Sequence, residues 1–133
     1  MPADIEANSV CEEGYTVVSR VGNFELTVDA LGEDGPTANE VLAADYASCY
    51  IPAFRVAGQQ NGYDDLGRVE VDVEANLDED DDLTDISFHI QVEADVDEAD
   101  FDDLIADGED ICHVHSALRE GLHADISMEA NAF

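Results

Sequence analysis

The chain has 133 residues, and its 34 Asp and Glu residues face four Arg and no Lys, so the formal net charge is −30 at pH 7. Such a chain repels the phosphates of nucleic acids and of anionic membranes, and we therefore exclude both as partners. Hydrophobic residues make up 45% of the sequence and recur in regular patterns, which favours a folded domain over a disordered acidic segment. The length predicts a single domain, residues 1–133.

The charge also predicts a high-salt environment. At molar ionic strength the Debye length falls to ~3 Å, so self-repulsion on this scale becomes tolerable, and we expect a protein from a halophile. Residues 1–10 have neither a basic stretch nor an apolar core, and no apolar run reaches the length of a membrane span, so a cytoplasmic location is expected. Three cysteines in such a chain indicate reactive or metal-binding thiols rather than a disulfide framework.

A hairpin is predicted near the N-terminus. Residues 15–19 and 24–28 follow strand patterns, the second with strict alternation of apolar and polar side chains, and a turn at residues 21–23 joins them. Arg20 lies at this turn and is the first cation of the chain. Cys11 falls in a polar N-terminal segment, and we expect it to have no chemical role.

The central segment, residues 35–62, is the longest weakly charged run of the chain. Thr37 and Glu40 have the spacing of a capping box, which predicts the start of a helix. Apolar residues then recur three and four positions apart and predict its buried face. These residues are Val41, Leu42, Tyr46, Cys49, Ala53 and Val56. Pro52 lacks the N–H that an inner helical turn requires, so we expect a bend just after Cys49.

Two amphipathic strands are predicted after this helix. Residues 69–77 and 86–94 both alternate apolar with polar side chains, which is typical of strands with one solvated face. Between them Asp78–Asp82 is a run of five carboxylates. It lacks the glycine and the ligand spacing of a calcium loop, so it predicts a solvated turn.

The last third of the chain predicts two helices and a strand. Asp97 and Glu98 suit a helix start, and a helical stripe then ends at Cys112. A short helix over His113–Arg119 and a strand over Leu122–Glu129 complete the pattern. This order of elements predicts an α+β fold with antiparallel strand pairing.

The cysteines at the two helices leave three interpretations open. Cys49 and Cys112 both lie on apolar helix faces, which is expected if they face one another across a packed interface. Free cysteines are also common as buried, unreactive side chains. A zinc centre would use thiolate and imidazole ligands, although the spacing matches no standard zinc motif. The residues of such a centre would be Cys112, His113 and His115, with His123 or His89.

Two motifs together resemble the OsmC/Ohr family of organic hydroperoxide reductases. VDALGEDGPTANEVLAADYASC is similar to the family's Gly-Pro entry and central helix, with Cys49 at the position of the peroxidatic cysteine. ADGEDICHVHSALREGLHADISME is similar to the family's late segment and final strand, with Cys112 at the position of the resolving cysteine. The resemblance extends from Phe24 to Met128. It departs from the family at His113, where a Pro is usual, and at Pro52.

The resemblance implies a fold, an assembly and an activity. The fold is α+β, with antiparallel sheets and a long central helix, in an intertwined homodimer whose active sites each use both chains. The activity is that of a thiol peroxidase, in which Cys49 reduces an organic hydroperoxide, becomes a sulfenic acid and forms a disulfide with Cys112. A dithiol reductant, lipoyl-type in some members, would restore both thiols.

The resemblance also assigns two charged residues. The pKa of a free cysteine is about 8.5, and burial and negative charge raise it further, so a peroxidatic thiolate needs a local cation. Family members use an Arg from the N-terminal strands, here Arg20, and an acid near the start of the central helix, here Glu40. The capping box is an alternative role for Glu40. No phosphate loop or dinucleotide motif is present, so no cofactor is predicted.

A second class of function remains open from the sequence. The same fold would serve a non-enzymatic OsmC-like thiol protein, which binds a small apolar or electrophilic ligand, or a metal, in the dimer pocket. Turnover of hydroperoxide distinguishes the two classes.

Lowering the salt concentration is expected to unfold the protein, because its 34 carboxylates lose their screening as the Debye length grows from ~3 Å toward ~10 Å. Circular dichroism across a salt series measures this transition. Secondary structure that persisted unchanged at low salt would contradict the assignment to a halophile.

Overall fold

The computed structural model describes residues 3–133, which form two compact units, unit 1 up to Leu42 and unit 2 from Ala43. The fold is a mixed α+β fold with two three-stranded sheets. Unit 1 contains β1 (Asn8–Val10), β2 (Thr16–Val21) and β3 (Phe24–Asp29), and α1 (Ala38–Gln60) continues from unit 1 into unit 2. Unit 2 contains β4 (Val69–Leu77), β5 (Leu83–Val92), α2 (Phe101–Ile111), α3 (His113–Ala117) and β6 (Asp125–Glu129), with 3₁₀ turns at Glu98–Asp100 and Glu120–Leu122.

The predicted N-terminal hairpin is confirmed. β2 and β3 pair antiparallel with Val21 opposite Phe24, so two residues form the turn. The first of them, Gly22, has φ of 59°, a left-handed conformation that glycine adopts without a Cβ clash. β1, which the sequence pattern did not predict, pairs with β2 and completes the sheet of unit 1.

Asp29 organises the loop that leads into α1. Its buried carboxylate accepts hydrogen bonds from the backbone N–H groups of Leu31 at 2.9 Å and Asp34 at 3.0 Å. The bond from Asp34, followed by that from Leu31, lowers the pKa of Asp29. Gly35 is required in this loop, because a Cβ there would lie 2.6 Å from the Thr27 carbonyl oxygen.

The capping box at the start of α1 is confirmed. The Thr37 N–H donates to Glu40 Oε1 at 2.9 Å, and the Glu40 N–H donates to Thr37 Oγ1 at 3.2 Å. The helix continues through Pro52 to Gln60. The first N–H groups of a helix have no intrahelical acceptor, and this exchange satisfies two donors at the point where the loop enters α1.

The predicted buried face of α1 is partly wrong. Tyr46 and Ala53 are buried as expected, but Val41 and Leu42 are only half-buried and Val56 is 41% exposed. The buried positions carry aromatic and small side chains instead: Ala43, Tyr46, Ala47, Tyr50, Ala53, Phe54, Ala57 and Gly58. Cys49 is half-buried, at the edge of this face.

The sheet of unit 2 differs from the prediction in one pairing. β4 and β5 are antiparallel, as expected, but β5 and β6 are parallel. The expectation of antiparallel pairing throughout is therefore wrong here. The reason is the connection: α2 and α3 lie between β5 and β6 in the chain, and a helical crossover of this length brings a strand back in the same direction. The turn at Asp78–Asp82 is confirmed, closed by a bond from the Asp78 N–H to the Asp82 carbonyl at 2.9 Å.

The core of unit 2 joins α1 to β5 and α2. Tyr46 packs edge-on against Phe88 with ring centroids 4.6 Å apart, and the Tyr50 ring lies 5.6 Å from the same Phe88. A Cβ at Gly108 of α2 would lie 3.0 Å from the Tyr50 hydroxyl oxygen, so glycine allows α2 to approach α1 closely. The buried side chains of β5 are Leu83, Ile86, Phe88, Ile90 and Val92. This packing fixes the part of α1 that carries Cys49.

Among the described residues, no helix has both the length and the apolar character needed to cross a membrane.

Candidate active site

Cys49 and Cys112 lie together in unit 2. Cys49 projects from α1 and is half-buried, whereas Cys112, between α2 and α3, is fully buried. The two thiols interact, and each shifts the pKa of the other. The arrangement expected from the two apolar helix faces is therefore present, with one sulfur accessible to a small molecule and the other behind it.

The chain turns sharply at Cys112, and this turn supplies donors to both sulfurs. The Cys112 N–H bonds the Gly108 carbonyl at 3.0 Å and closes α2, while Cys112 Sγ accepts the backbone N–H of His115 at 3.5 Å and opens α3. The backbone N–H groups of Val114 and His113 act on the Cys49 thiol and lower its pKa. Three successive N–H groups thus surround the thiol pair.

These contacts shift the pKa values of the two thiols in opposite directions. Burial acts to raise the pKa of Cys49, but the N–H of Val114, the thiol of Cys112 and the N–H of His113 together outweigh it, so the pKa is lowered. Burial raises the pKa of Cys112, and the bond to Cys49 raises it further. Cys49 is therefore the thiol that ionises first. This is the charge state that a nucleophilic cysteine needs.

A second layer of side chains supports the turn. The Tyr46 hydroxyl and His115 Nδ1 are 2.6 Å apart, and the Ala124 N–H donates to the same hydroxyl at 3.0 Å. Glu109 Oε2 lies 3.5 Å from His115 Nε2, and the His123 ring stacks on His115 with centroids 3.8 Å apart. No sequence pattern predicts this network, because Tyr46 and His115 are far apart in the chain and no local motif joins them.

The zinc interpretation finds no support in this geometry. Within residues 3–133, no group of three or more His, Cys, Asp and Glu side chains is arranged to hold a metal ion. The His115 ring is bonded to Tyr46, and His123 Nε2 donates to the Leu118 carbonyl at 3.1 Å. His89 lies on β5, where its Nδ1 contacts Ser127 Oγ at 2.7 Å.

The two charged residues assigned by resemblance lie in unit 1. Arg20, on β2, bonds Glu25 through its Nε at 2.8 Å, and both side chains are exposed. The Glu40 carboxylate is engaged in the capping box, and the backbone bond from Thr37, its largest influence, lowers its pKa. Cys11 is exposed, and its S–H donates to the Gly14 carbonyl at 3.3 Å.

Comparison with known sequences identifies the family. The sequence profile described as OsmC-like protein matches residues 31–127. The chain belongs to the OsmC-like family. A relative from the halophilic archaeon Haloferax volcanii, described as an uncharacterized protein, is 49% identical over 131 residues, which are 98% of this chain and 99% of the relative. The match agrees with the halophilic character predicted from the charge.

Solved structures confirm the OsmC-like fold. The OsmC-like protein from Mycoplasma pneumoniae superposes with a TM-score of 0.79 at 16% identity and covers 98% of this chain and 97% of its own. The organic hydroperoxide resistance protein OhrB of Bacillus subtilis superposes with a TM-score of 0.71 at 15% identity, over 96% of this chain and 98% of its own. At these identities the likeness establishes the fold alone.

His113 allows a test of whether a main-chain N–H lowers the pKa of Cys49. The family usually has Pro at this position, and Pro has no N–H. His113→Pro removes the N–H that bonds Cys49, while Pro is well tolerated in the first turn of a helix. We expect the pKa of Cys49 to rise by roughly one unit, because a hydrogen bond to a charged group contributes about 1.5 kcal/mol. Ultraviolet thiolate absorbance in a Cys11→Ser background measures the first transition.

His113→Ala is the matched control, because it removes the imidazole and keeps the N–H. Its Cys49 should titrate as in the parent. Equal titration curves for the Pro and Ala variants would show that this donor does not stabilise the thiolate.

Proposed function

We propose that this protein is a cysteine-based thiol peroxidase that reduces organic hydroperoxides, acting through residues 1–133 as one OsmC-like domain. The observation that carries the proposal is the thiol pair: a half-exposed Cys49 of lowered pKa that interacts with a buried Cys112 of raised pKa. Cys49 is thereby prepared to attack a hydroperoxide as a thiolate, and Cys112 lies where it can attack the oxidised Cys49.

The first step uses the Cys49 thiolate. It attacks the terminal oxygen of the hydroperoxide and the O–O bond breaks. The alkoxide takes a proton from solvent and leaves as the alcohol, and Cys49 becomes a sulfenic acid. Cys49 is oxidised by two electrons and the peroxide is reduced by two. The N–H groups of His113 and Val114 stabilise the thiolate before the attack.

The second step uses Cys112. Its sulfur attacks the sulfenic sulfur of Cys49, the S–O bond breaks, and the leaving hydroxide takes the Cys112 proton to form water. The product is a Cys49–Cys112 disulfide. A small dithiol, of the lipoyl type that the family resemblance implies, then reduces it by two exchange reactions and returns both thiols.

Arg20 and Glu40 complete the proposed site. Arg20 would place a guanidinium near the Cys49 thiolate, which favours ionisation in a chain of net charge −30. Glu40 would hold that guanidinium in place. This role requires Arg20 to exchange its present partner Glu25, an exposed ion pair of the kind that contributes little free energy.

We further propose an intertwined homodimer. The family resemblance supports it, and so do the large apolar side chains that unit 1 leaves exposed. Among these are Ile5, 80% exposed, Tyr15, 65%, Phe24, 81%, and Leu31, 62%. A second copy would remove such surface from water, which is favourable in proportion to the apolar area buried.

The dimer is expected to persist in molar salt, because screening weakens the repulsion between acidic copies while the apolar contact is retained. Light scattering across a concentration series in molar salt gives the mass. A monomer mass at every concentration would contradict the dimer, and would leave each site to be built from one chain.

Substitution of the cysteines tests the activity itself. One equivalent of cumene hydroperoxide should consume two thiols in the parent and join Cys49 to Cys112, as peptide mass mapping would record. Cys49→Ser should be inert. Cys112→Ser should react once, stop at a sulfenic acid that a dimedone probe traps, and over-oxidise with excess peroxide. Cys11→Ser is the control and should behave as the parent.

Arg20 is tested against a matched arginine. Arg20→Ala should slow the first step about tenfold if it raises the pKa of Cys49 by about one unit. Arg68→Ala removes an equally exposed arginine that is also paired with a glutamate, Glu70, and should leave the rate unchanged. If Cys49→Ser consumed hydroperoxide as fast as the parent, the enzyme would be ruled out and the non-enzymatic thiol protein would become the better description.

A further inference from the structure

Three neighbouring side chains contact the imidazole ring of His115, a residue that has no part in the thiol chemistry proposed above. Its Nδ1 is 2.6 Å from the Tyr46 hydroxyl, its Nε2 is 3.5 Å from Glu109 Oε2, and the His123 ring covers one face at 3.8 Å. The side chain is 12% exposed. Such a complete set of contacts fixes the orientation of the imidazole ring.

The hydrogen-bond directions within this cluster follow from a count of donors. The Ala124 N–H already donates to the Tyr46 hydroxyl oxygen at 3.0 Å, so the single hydroxyl proton is free to be donated to His115 Nδ1. Burial, followed by the neighbouring His123, lowers the pKa of His115, although Asp110 acts in the opposite direction. We therefore assign a neutral ring with its proton on Nε2, the nitrogen that faces the Glu109 carboxylate at 3.5 Å.

The Tyr46–His115 bond joins the two parts of the chain that carry the reactive thiols. Tyr46 lies three residues before Cys49 on α1, so the two side chains are on the same face, about one turn apart. His115 lies three residues after Cys112 and donates its backbone N–H to Cys112 Sγ at 3.5 Å. Among the described residues, this is the hydrogen bond between a side chain of α1 and a side chain of α3.

We propose that Tyr46 and His115 are a positioning pair for disulfide closure, in which their hydrogen bond holds the Cys112 turn against the helix that carries Cys49. The inference rests on the proposed function, in which Cys112 resolves the Cys49 sulfenic acid. Neither residue takes part in bond making; both act through the position of Cys112.

The position of Cys112 determines which of two competing reactions the Cys49 sulfenic acid undergoes. Closure converts the Cys49 sulfenic acid and the Cys112 thiol into a disulfide and water, and it competes with a second hydroperoxide, which would convert the sulfenic acid irreversibly into a sulfinic acid. A disulfide requires a narrow range of Cβ separations and torsion angles. A looser turn spends less time in that range, so closure slows while the second oxidation does not.

Tyr46→Phe tests the pair, with Tyr50→Phe as the matched control. Both tyrosines are fully buried on α1, and Tyr50 donates to the Ile105 carbonyl at 3.0 Å rather than to the turn. In a Cys11→Ser background, we expect Tyr46→Phe to slow closure roughly fivefold, which corresponds to the loss of the hydrogen bond to His115 at about 1 kcal/mol. Tyr46→Phe also removes the acceptor of the Ala124 N–H, a change that substitutions at His115 do not make. The sulfinic fraction at a fixed hydroperoxide excess should rise accordingly.

Two substitutions at His115 separate positioning from general damage to the fold. His115→Asn places an amide oxygen near the position of Nδ1, so it can still accept from Tyr46, and we expect closure close to the parent rate. His115→Leu has a similar size but no acceptor, and closure should slow as in Tyr46→Phe. Equal loss in both variants, or equal loss in Tyr46→Phe and Tyr50→Phe, would overturn the proposal.

Closure is also measurable without a peroxide. An aromatic disulfide such as dithiobis(nitrobenzoate) forms a mixed disulfide at Cys49, and Cys112 then displaces the second aromatic thiolate, whose absorbance reports the rate. If the parent closes rapidly here but does not react with hydroperoxide, the proposed function fails and the positioning pair is still tested by the same variants. Closure at the parent rate in both Tyr46→Phe and His115→Leu would overturn the pair alone.

Discussion

The interaction between the Cys49 and Cys112 thiols is the one on which the proposed chemistry depends. It favours a Cys49 thiolate beside a protonated Cys112, because the N–H groups of Val114 and His113 lower the pKa of Cys49 while burial raises that of Cys112. The interaction requires the two sulfurs to stay close together. The surrounding structure therefore has to fix α1 and the turn between α2 and α3 with respect to each other.

The core of unit 2 meets this requirement with large aromatic side chains and small neighbours. Tyr46 and Tyr50 pack on Phe88 of β5, and Gly108 gives the Tyr50 ring room beside α2. Close packing of this kind leaves little freedom for a helix to slide, because any displacement opens a cavity or forces a clash. Rigidity at the thiols is thus a product of contacts made one turn away from them.

The sequence predicted the features that local patterns determine. The hairpin, the Thr37–Glu40 capping box and strand β4 depend on spacings of a few residues, and the helix ending at Cys112 depends on a short apolar stripe. The wrong predictions concern features that depend on contacts between distant parts of the chain. The parallel pairing of β6 reflects its connection. The buried face of α1 includes Tyr50 and Phe54, which the pattern did not predict, and leaves Val56 exposed. The Tyr46–His115 bond spans 69 residues, beyond any local pattern.

The donors that lower the pKa of Cys49 are main-chain N–H groups, and this affects how the acidity of Cys49 responds to changing salinity. The folded state of so acidic a chain is sensitive to ionic strength, because its carboxylates interact over distances comparable with the Debye length. A hydrogen bond within a partly buried turn acts at contact distance, where dissolved ions do not intervene. Once the chain is folded, the main-chain contribution to the acidity of Cys49 is insulated from the salt concentration, and it should vary far less with salinity than the stability of the protein that carries it.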